Sequence, residues 1–256
     1  MTAITVVDVG PRDGLQNEPV VLPPAVRAEL CDRLAAAGLS RMEAASFVHP
    51  KLVPQMAGAE EVMATIRRRP GVVYAGLVLN ERGYDRAIAA NVDAVHYTFA
   101  VSDSFAARNQ NSTVADSIAL ALKLAARAKE DGKRFVIPLS TAFGCPFEGP
   151  IDPGKVLDVV AQVQQGAPDE VVLCDTIGVG VPSQVRAAAI TRFGVAVLTA
   201  PLHRGHRRAS HSAARHPGRG CAGSRGSGRR WRISPNRWRA ACRSRHGRRR
   251  RPFRQS

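Results

Sequence analysis

The chain has 256 residues and a formal net charge of +16, from 37 Lys+Arg against 21 Asp+Glu. The charge is not spread evenly: residues 195–256 hold 18 Arg and no Lys, Asp or Glu, which leaves residues 1–194 with 19 basic and 21 acidic side chains. The first 194 residues are therefore a near-neutral body, and a nucleic-acid reading of the whole chain from its average charge would mislead.

The body reads as alternating strands and helices. Ile4–Gly10 (ITVVDVG) is a short β-branched run and predicts a buried strand. Pro24–Ala37 predicts a helix, with Pro23 and Pro24 at its start, Gly38 after its end and Val26, Leu30 and Leu34 as its apolar face. Arg41–Ser46 predicts a second strand. Ala59–Arg69 is a helix stopped by Pro70-Gly71, and Val72–Leu79 a third strand. Gly83–Ala90 is a short helix and Asp93–Ala100 a fourth strand. Val114–Asp131 is a long helix with apolar Ile118, Leu122 and Ala125. A fifth strand (Arg134–Leu139), a helix (Pro153–Gln165), a sixth strand (Glu170–Cys174) and a helix (Pro182–Arg192) complete the series.

Six βα units with no hairpin signal imply a parallel sheet covered on both faces. Doubly wound sheets and eight-stranded barrels both fit. The barrel is favoured because GPRDG, after the first strand, lacks the spacing of a dinucleotide fingerprint. Charged residues also recur at strand C-terminal ends: Arg12 and Asp13, Glu43, and Asp175. In barrels those ends form the active face. The expected fold is an incomplete barrel over residues 1–194, followed by an Arg-rich disordered segment from 195 to 256.

Asp13, Glu43 and Asp175 come from three strands that a barrel brings to one mouth, and hard divalent cations want such oxygen ligands. Arg12 beside them suits a carboxylate, an enolate oxygen or a thioester carbonyl. Each carboxylate taken alone is equally an ordinary solvated loop residue. Cys145, in the Gly144–Pro150 loop, could be a reactive thiol but reads as a packing residue, since nothing nearby in the sequence marks it as activated. His96, alone in a strand, reads as a satisfied core histidine, and His49 is isolated. Five cysteines (Cys31, Cys145, Cys174, Cys221, Cys242) in odd number and without close pairs argue against a disulfide framework or zinc site. Reduced thiols in a cytoplasmic protein are expected. No secretory signal precedes Ile4, and no apolar run reaches the length of a membrane span.

Five segments carry a resemblance: Val9–Pro19 (VGPRDGLQNEP), Glu43–Met56 (EAASFVHPKLVPQM), Phe99–Asn111 (FAVSDSFAARNQN), Ser140–Gly149 (STAFGCPFEG) and Leu173–Pro182 (LCDTIGVGVP). In this order they resemble the hydroxymethylglutaryl-CoA lyases, divalent-metal TIM-barrel enzymes related to isopropylmalate and homocitrate synthases. The resemblance implies a retro-Claisen cleavage of 3-hydroxy-3-methylglutaryl-CoA to acetyl-CoA and acetoacetate, with Mg²⁺ or Mn²⁺ as cofactor. It implies Asp13 as a metal ligand and Arg12 as the residue that neutralises the thioester-enolate oxygen. It matches Glu43 and Asp175 to catalytic acidic residues and puts Gln16 in the substrate-binding first loop. An acyl-CoA substrate, a homodimer and no membrane partner are the matching expectations.

The resemblance stops near Gly194. The lyases complete their metal site with a His-x-His segment and an Asn, and protonate product from a Cys in a Gly-Gly-Cys-Pro loop. Neither the His-x-His segment nor the Gly-Gly-Cys-Pro loop is present in residues 195–256. A shifted reading frame accounts for the change. Ala214-Arg215-His216-Pro217-Gly218-Arg219 needs codons GCN CGN CAY CCN GGN CGN, which one base later can spell His-Asp-Thr-Arg-Gly, the lyase sequence at its second metal histidine. The other reading is a genuine basic extension. Its 18 Arg carry no counter-charge and cannot bury enough apolar surface to fold. Trp231 and Trp238 among them could stack on bases, and nonspecific polyanion binding follows either way. Two classes stay open: a metal-dependent acyl-CoA lyase, and a non-catalytic chain with a polyanion-binding tail.

Overall fold

The computed structural model of the chain describes residues 5–189 and the strand 195–199. The chain divides into a unit spanning Met1–Arg207 and a second spanning Arg208–Ser256, and all described residues belong to the first.

Seven parallel strands form one sheet. They are β1 (Arg41–Ser46), β2 (Val73–Val78), β3 (Ala94–Tyr97), β4 (Phe99–Ala100), β5 (Arg134–Ser140), β6 (Glu170–Asp175) and β7 (Val195–Thr199). The order is β1-β2-β3-β5-β6-β7, with short β4 continuing β3 onto β5. Sequential parallel strands need crossovers, and the helices supply them: α1 (Pro24–Ala36), α2 (Ala59–Thr65), α3 (Glu81–Ala89), α5 (Val114–Glu130), α6 (Pro153–Val163) and α7 (Pro182–Ala189). Side-chain caps fix three helix starts. Asn80 accepts from Gly83 N at 2.9 Å, Thr113 from Asp116 N at 3.0 Å and Asp152 from Gly154 N at 2.8 Å.

Two faces of the sheet are buried differently. The outer face meets the helices in one continuous core that includes Met42, Tyr74, Val95, Ile137 and Leu173. The inner face holds a small second cluster, Val136, Val172 and Cys174. Beneath it lies a cavity of about 320 Å³ lined by Arg41, Glu43, His96, Arg134 and Glu170 among others. Glu170 ties two strand starts together there, accepting from Arg41 at 2.5 Å and Arg134 at 2.6 Å.

Four features differ from the sequence expectation. The strand expected over Ile4–Gly10 is reduced, among the described residues, to one parallel bridge between Asp8 and Met42. The cause is local: Asp8 Oδ1 accepts from Gly10 N at 2.7 Å and turns the chain into a π-helical turn over Gly10–Gly14. The buried face of α1 is Arg27, Ala28, Cys31 and Ala35, not Val26, Leu30 and Leu34, and Val26 is exposed. Arg27 is buried there and donates to Ala57 O, while Leu30 and Leu34 are half-buried, Leu34 against the main core. A further helix, α4 (Asp103–Gln110), stands between β4 and α5. Strand β7, paired with β6 from Val171↔Val195 to Asp175↔Thr199, begins just beyond the expected end of the body at Gly194. The predicted helix to Arg192 is described to Ala189, and the disordered-tail expectation for 200–256 lies outside the described residues.

Candidate active site at the strand ends

The turn that replaces the first strand's end aims Arg12 inward. Asp13 N and Gly14 N both donate to Val9 O, at 2.7 and 3.3 Å, so five residues wrap around one carbonyl. Gly10 is needed here, because a Cβ would stand 2.9 Å from Asp8 Oδ1. The Arg12 side chain is 12% exposed and reaches Glu43, which is 3% exposed on β1.

The contacts form a relay. Arg12 Nε and Nη2 both meet Glu43 Oε2 at 2.5 Å, and Arg12 Nη1 donates to Asp13 Oδ1 at 2.5 Å. The other Glu43 oxygen, Oε1, stands 2.6 Å from His96 Nδ1 on β3. A guanidinium has five N–H donors. Three point at Glu43 and Asp13, so one N–H on each terminal nitrogen is left for an incoming oxygen.

Electrostatics follow from burial and pairing. Burial alone would raise the Glu43 carboxyl, but the charges and hydrogen bonds of Arg12 and His96 outweigh it and bring its pKa down to about 2. Arg12 is held above its ordinary value: burial works against its charge, and Glu43 and Asp13 more than offset that. The Cys174 thiol, at the end of β6, is pushed up to about 12, first by burial and then by the Glu43 charge. It is therefore a neutral thiol beside the pair.

The structure brings Arg12, Asp13, Glu43 and His96 into contact; Glu43 stands third of six residues in β1, not at its C-terminal end as expected, while Asp175 is the last residue of β6. Asp175 is differently engaged. Its two oxygens accept from Val179 N and Gly180 N, both at 2.9 Å, and so fold the loop after β6. Gln16 follows the Arg12 turn, and its Oε1 is buried with no partner among the described residues, as are Ser46 Oγ and Gln110 Oε1. Cys145 is buried and accepts from Ser102 Oγ at 3.1 Å, in agreement with packing. Beside it Thr141 sits in the left-handed region at φ 59°, a strained position for a β-branched residue.

Sequence alone makes His96 a core residue outside the site. It is hydrogen-bonded as expected, yet its partner is the carboxylate that holds Arg12. Thr98 and Ser140 also escape a reading by motif. Thr98 Oγ1 donates to Pro138 O at 2.8 Å and lies 3.2 Å from Ser140 Oγ, at the β3–β4 break. Strand alternation is the available signal, since Ala94, His96 and Thr98 share one face.

A divalent cation fits the described residues poorly. They contain no cluster of three His, Cys, Asp or Glu side chains able to hold one. Glu43 and Asp175 have both oxygens engaged, and one Asp13 oxygen, Oδ2, is the carboxylate atom left over.

Comparison with known proteins gives the family. The HMGL-like family model matches residues 3–206. The chain belongs to the HMGL-like family. It is 39% identical over 216 residues to the (R)-citramalyl-CoA lyase of Chloroflexus aurantiacus, covering 79% of this chain and 68% of that protein. It is 43% identical over 183 residues to the 3-hydroxy-3-isohexenylglutaryl-CoA/hydroxymethylglutaryl-CoA lyase of Pseudomonas aeruginosa, covering 72% of this chain and 61% of that one. The crystal structure of hydroxymethylglutaryl-CoA lyase from Pseudomonas aeruginosa superposes with a TM-score of 0.71 at 41% identity, over 76% of this chain and 67% of that chain. The chain thus spans about two thirds of the length of these HMGL-like relatives, with their parallel α/β barrel fold.

Proposed function

We propose that the strand-end site is the enolate-stabilising part of an acyl-CoA carbon–carbon lyase, cleaving 3-hydroxy-3-methylglutaryl-CoA or a close 3-hydroxyacyl-CoA by a retro-Claisen reaction. The observation that carries the reading is the geometry of Arg12. Its guanidinium is buried, anchored on Glu43 and Asp13, and keeps two N–H groups free. When the carbon–carbon bond breaks, negative charge collects on the thioester oxygen. Two preorganised donors in a water-poor site stabilise that charge more than they stabilise the ground state. Glu43 anchors the guanidinium, Asp175 shapes the loop after β6, and Gln16 offers a buried acceptor to the substrate. The names of the relatives, all CoA-ester lyases, support the substrate class.

In the HMGL-like family a divalent cation polarises the substrate hydroxyl. Here Asp13 supplies one oxygen, and residues 195–256 contain neither the His-x-His segment nor the Gly-Gly-Cys-Pro loop. The chain with this sequence accordingly binds Mg²⁺ or Mn²⁺ weakly and turns over little or no substrate. A coupled assay for acetyl-CoA from 3-hydroxy-3-methylglutaryl-CoA with either cation tests this. Turnover of roughly 1–10³ per second, ordinary for enzymes, overturns it.

The second reading is a non-catalytic chain whose tail binds polyanions, and the 18 Arg without a single acid after residue 194 favour it. The two readings part on a simple measurement. Saturable binding of acetyl-CoA lost in Arg12→Gln belongs to the first, and binding of polyphosphate indifferent to Arg12 belongs to the second. A cytoplasmic location and a homodimer complete the proposal, the latter checked by light scattering.

A further inference from the structure

Glu43 is a buried carboxylate on a strand whose neighbours are apolar, so each of its oxygens needs a donor. Oε2 has Arg12. For Oε1 the donor is His96 Nδ1 at 2.6 Å, from a strand two places away in the sheet. Between them runs β2, where Ala75 pairs with Glu43 on one side and Ala94 on the other. A methyl group at Ala75 leaves room for the two long side chains to meet above it.

The consequence lies in how Arg12 is held. A free guanidinium and carboxylate prefer a side-on pair, with two nitrogens on two oxygens. Here Nε and Nη2 converge on Oε2 alone. Oε1 is taken by the imidazole, so the carboxylate cannot turn to offer both oxygens. That restraint leaves the Nη1 end of Arg12 on Asp13. We propose that His96 is a positioning residue for Arg12, acting through Glu43, and that it sets the direction in which the free guanidinium N–H groups point. The value of that direction for an acyl-CoA thioester rests on the function proposed above, but the restraint itself does not.

The experiment uses the full chain and four proteins: wild type, His96→Asn, His96→Leu and Glu43→Gln. Asn can place a side-chain N–H where the imidazole Nδ1–H stood, and Leu fills the space without a donor. Side-chain ¹H–¹⁵N spectra are recorded for the imidazole of His96 and the Nε–H of Arg12, with thermal unfolding as the folding control. The expected result is a hydrogen-bonded, slowly exchanging His96 Nδ1–H that Glu43→Gln abolishes. The Arg12 Nε–H should shift and exchange faster in His96→Leu and return toward wild type in His96→Asn. If His96→Leu folds and leaves the Arg12 resonance unchanged, His96 only packs, and the proposal is wrong. If His96→Leu does not fold, the wild-type and Glu43→Gln spectra decide: a His96 Nδ1–H indifferent to Glu43 also overturns it.

Acetyl-CoA binding separates this from the functional reading. Loss of the donor should weaken binding about tenfold or more, the size of a lost charge-assisted hydrogen bond. A wild type that binds no acetyl-CoA while its Arg12 and His96 resonances remain coupled sinks the lyase reading and leaves the positioning role standing.

Discussion

Arg12 is held by two carboxylates, Glu43 and Asp13, and Glu43 is held in turn by the His96 imidazole, before any substrate arrives. A buried guanidinium without partners is costly, and an unpaired Glu43 beside it equally so. The pairing has a pH signature. The folded Glu43 carboxyl titrates near 2, below its ordinary 4.5. A carboxyl depressed by folding stabilises the protein above its unfolded value, and that contribution fades as pH falls from about 4.5 toward 2. Wild type should therefore lose stability through this window more steeply than Glu43→Gln, in urea unfolding series at fixed pH. Parallel curves would mean that Glu43 is not ionised in the fold. A second expectation is kinetic and applies to any active form of the enzyme. Arg12→Gln should lower kcat far more than it raises KM, since its free donors act on charge that develops in the transition state. A change confined to KM would make Arg12 a ground-state binding residue.

At the scale of elements, a glycine on β2 gives two neighbouring side chains their room. Gly76 on β2 lies against Phe47 and Val92; an added Cβ would stand 2.5 Å from Phe47 Cε2 and 2.9 Å from Val92 Cγ1. Phe47 directly follows the strand that carries Glu43. Gly76→Ala should cost about 1–3 kcal/mol of stability, the usual penalty of overpacking, read as a lower denaturant midpoint. An unchanged midpoint would show that Phe47 moves freely. Strands β2, β3, β5 and β6 were legible because each is a compact β-branched or apolar run, whereas β1, RMEAAS, was placed correctly without being one. The strand expected over Ile4–Gly10 was not, because one carboxylate-to-backbone bond at Asp8 ends pairing early. Helix α4 was hidden by its Asn, Gln and Ser content, which reads as loop. In the site, Arg12 and Asp13 were visible from their place just after the first strand run, whereas Glu43, expected at a strand end, stands third of six residues in β1. His96 was not, since its partner lies 53 residues away in sequence and only the sheet order joins them.

At the scale of the whole molecule, two kinds of chemistry meet near residue 195. The body is nearly neutral, and the remainder carries 18 Arg without an acid. Such a segment is expected to bind polyanions whatever its history. If it neutralises six phosphates or more, affinity for duplex DNA should drop about 10³-fold or more between roughly 50 and 200 mM salt. A shallow salt dependence would mean that fewer charges engage. Its origin is a separate question with a decisive test. Strand β7 keeps the parallel register of β6 over five residues, so the barrel pattern persists just into the region where the motifs vanish. We expect resequencing across the codons for Phe193–Arg219 to reveal a one-base shift. The repaired gene should then encode a His-x-His segment and a Cys in a Gly-rich loop, with a charge close to that of the body. That protein should hold Mn²⁺ far more tightly than the present chain, by titration followed with electron paramagnetic resonance. It should also release acetyl-CoA in the coupled assay. Metal affinity is the sharper readout, because Asp13 alone cannot supply it and two imidazoles beside it can. A repaired frame that fails to bind the ion, or a gene whose frame proves unbroken, would leave the Arg-rich segment as a true part of the protein and the Arg12 cluster as a site without its metal partner.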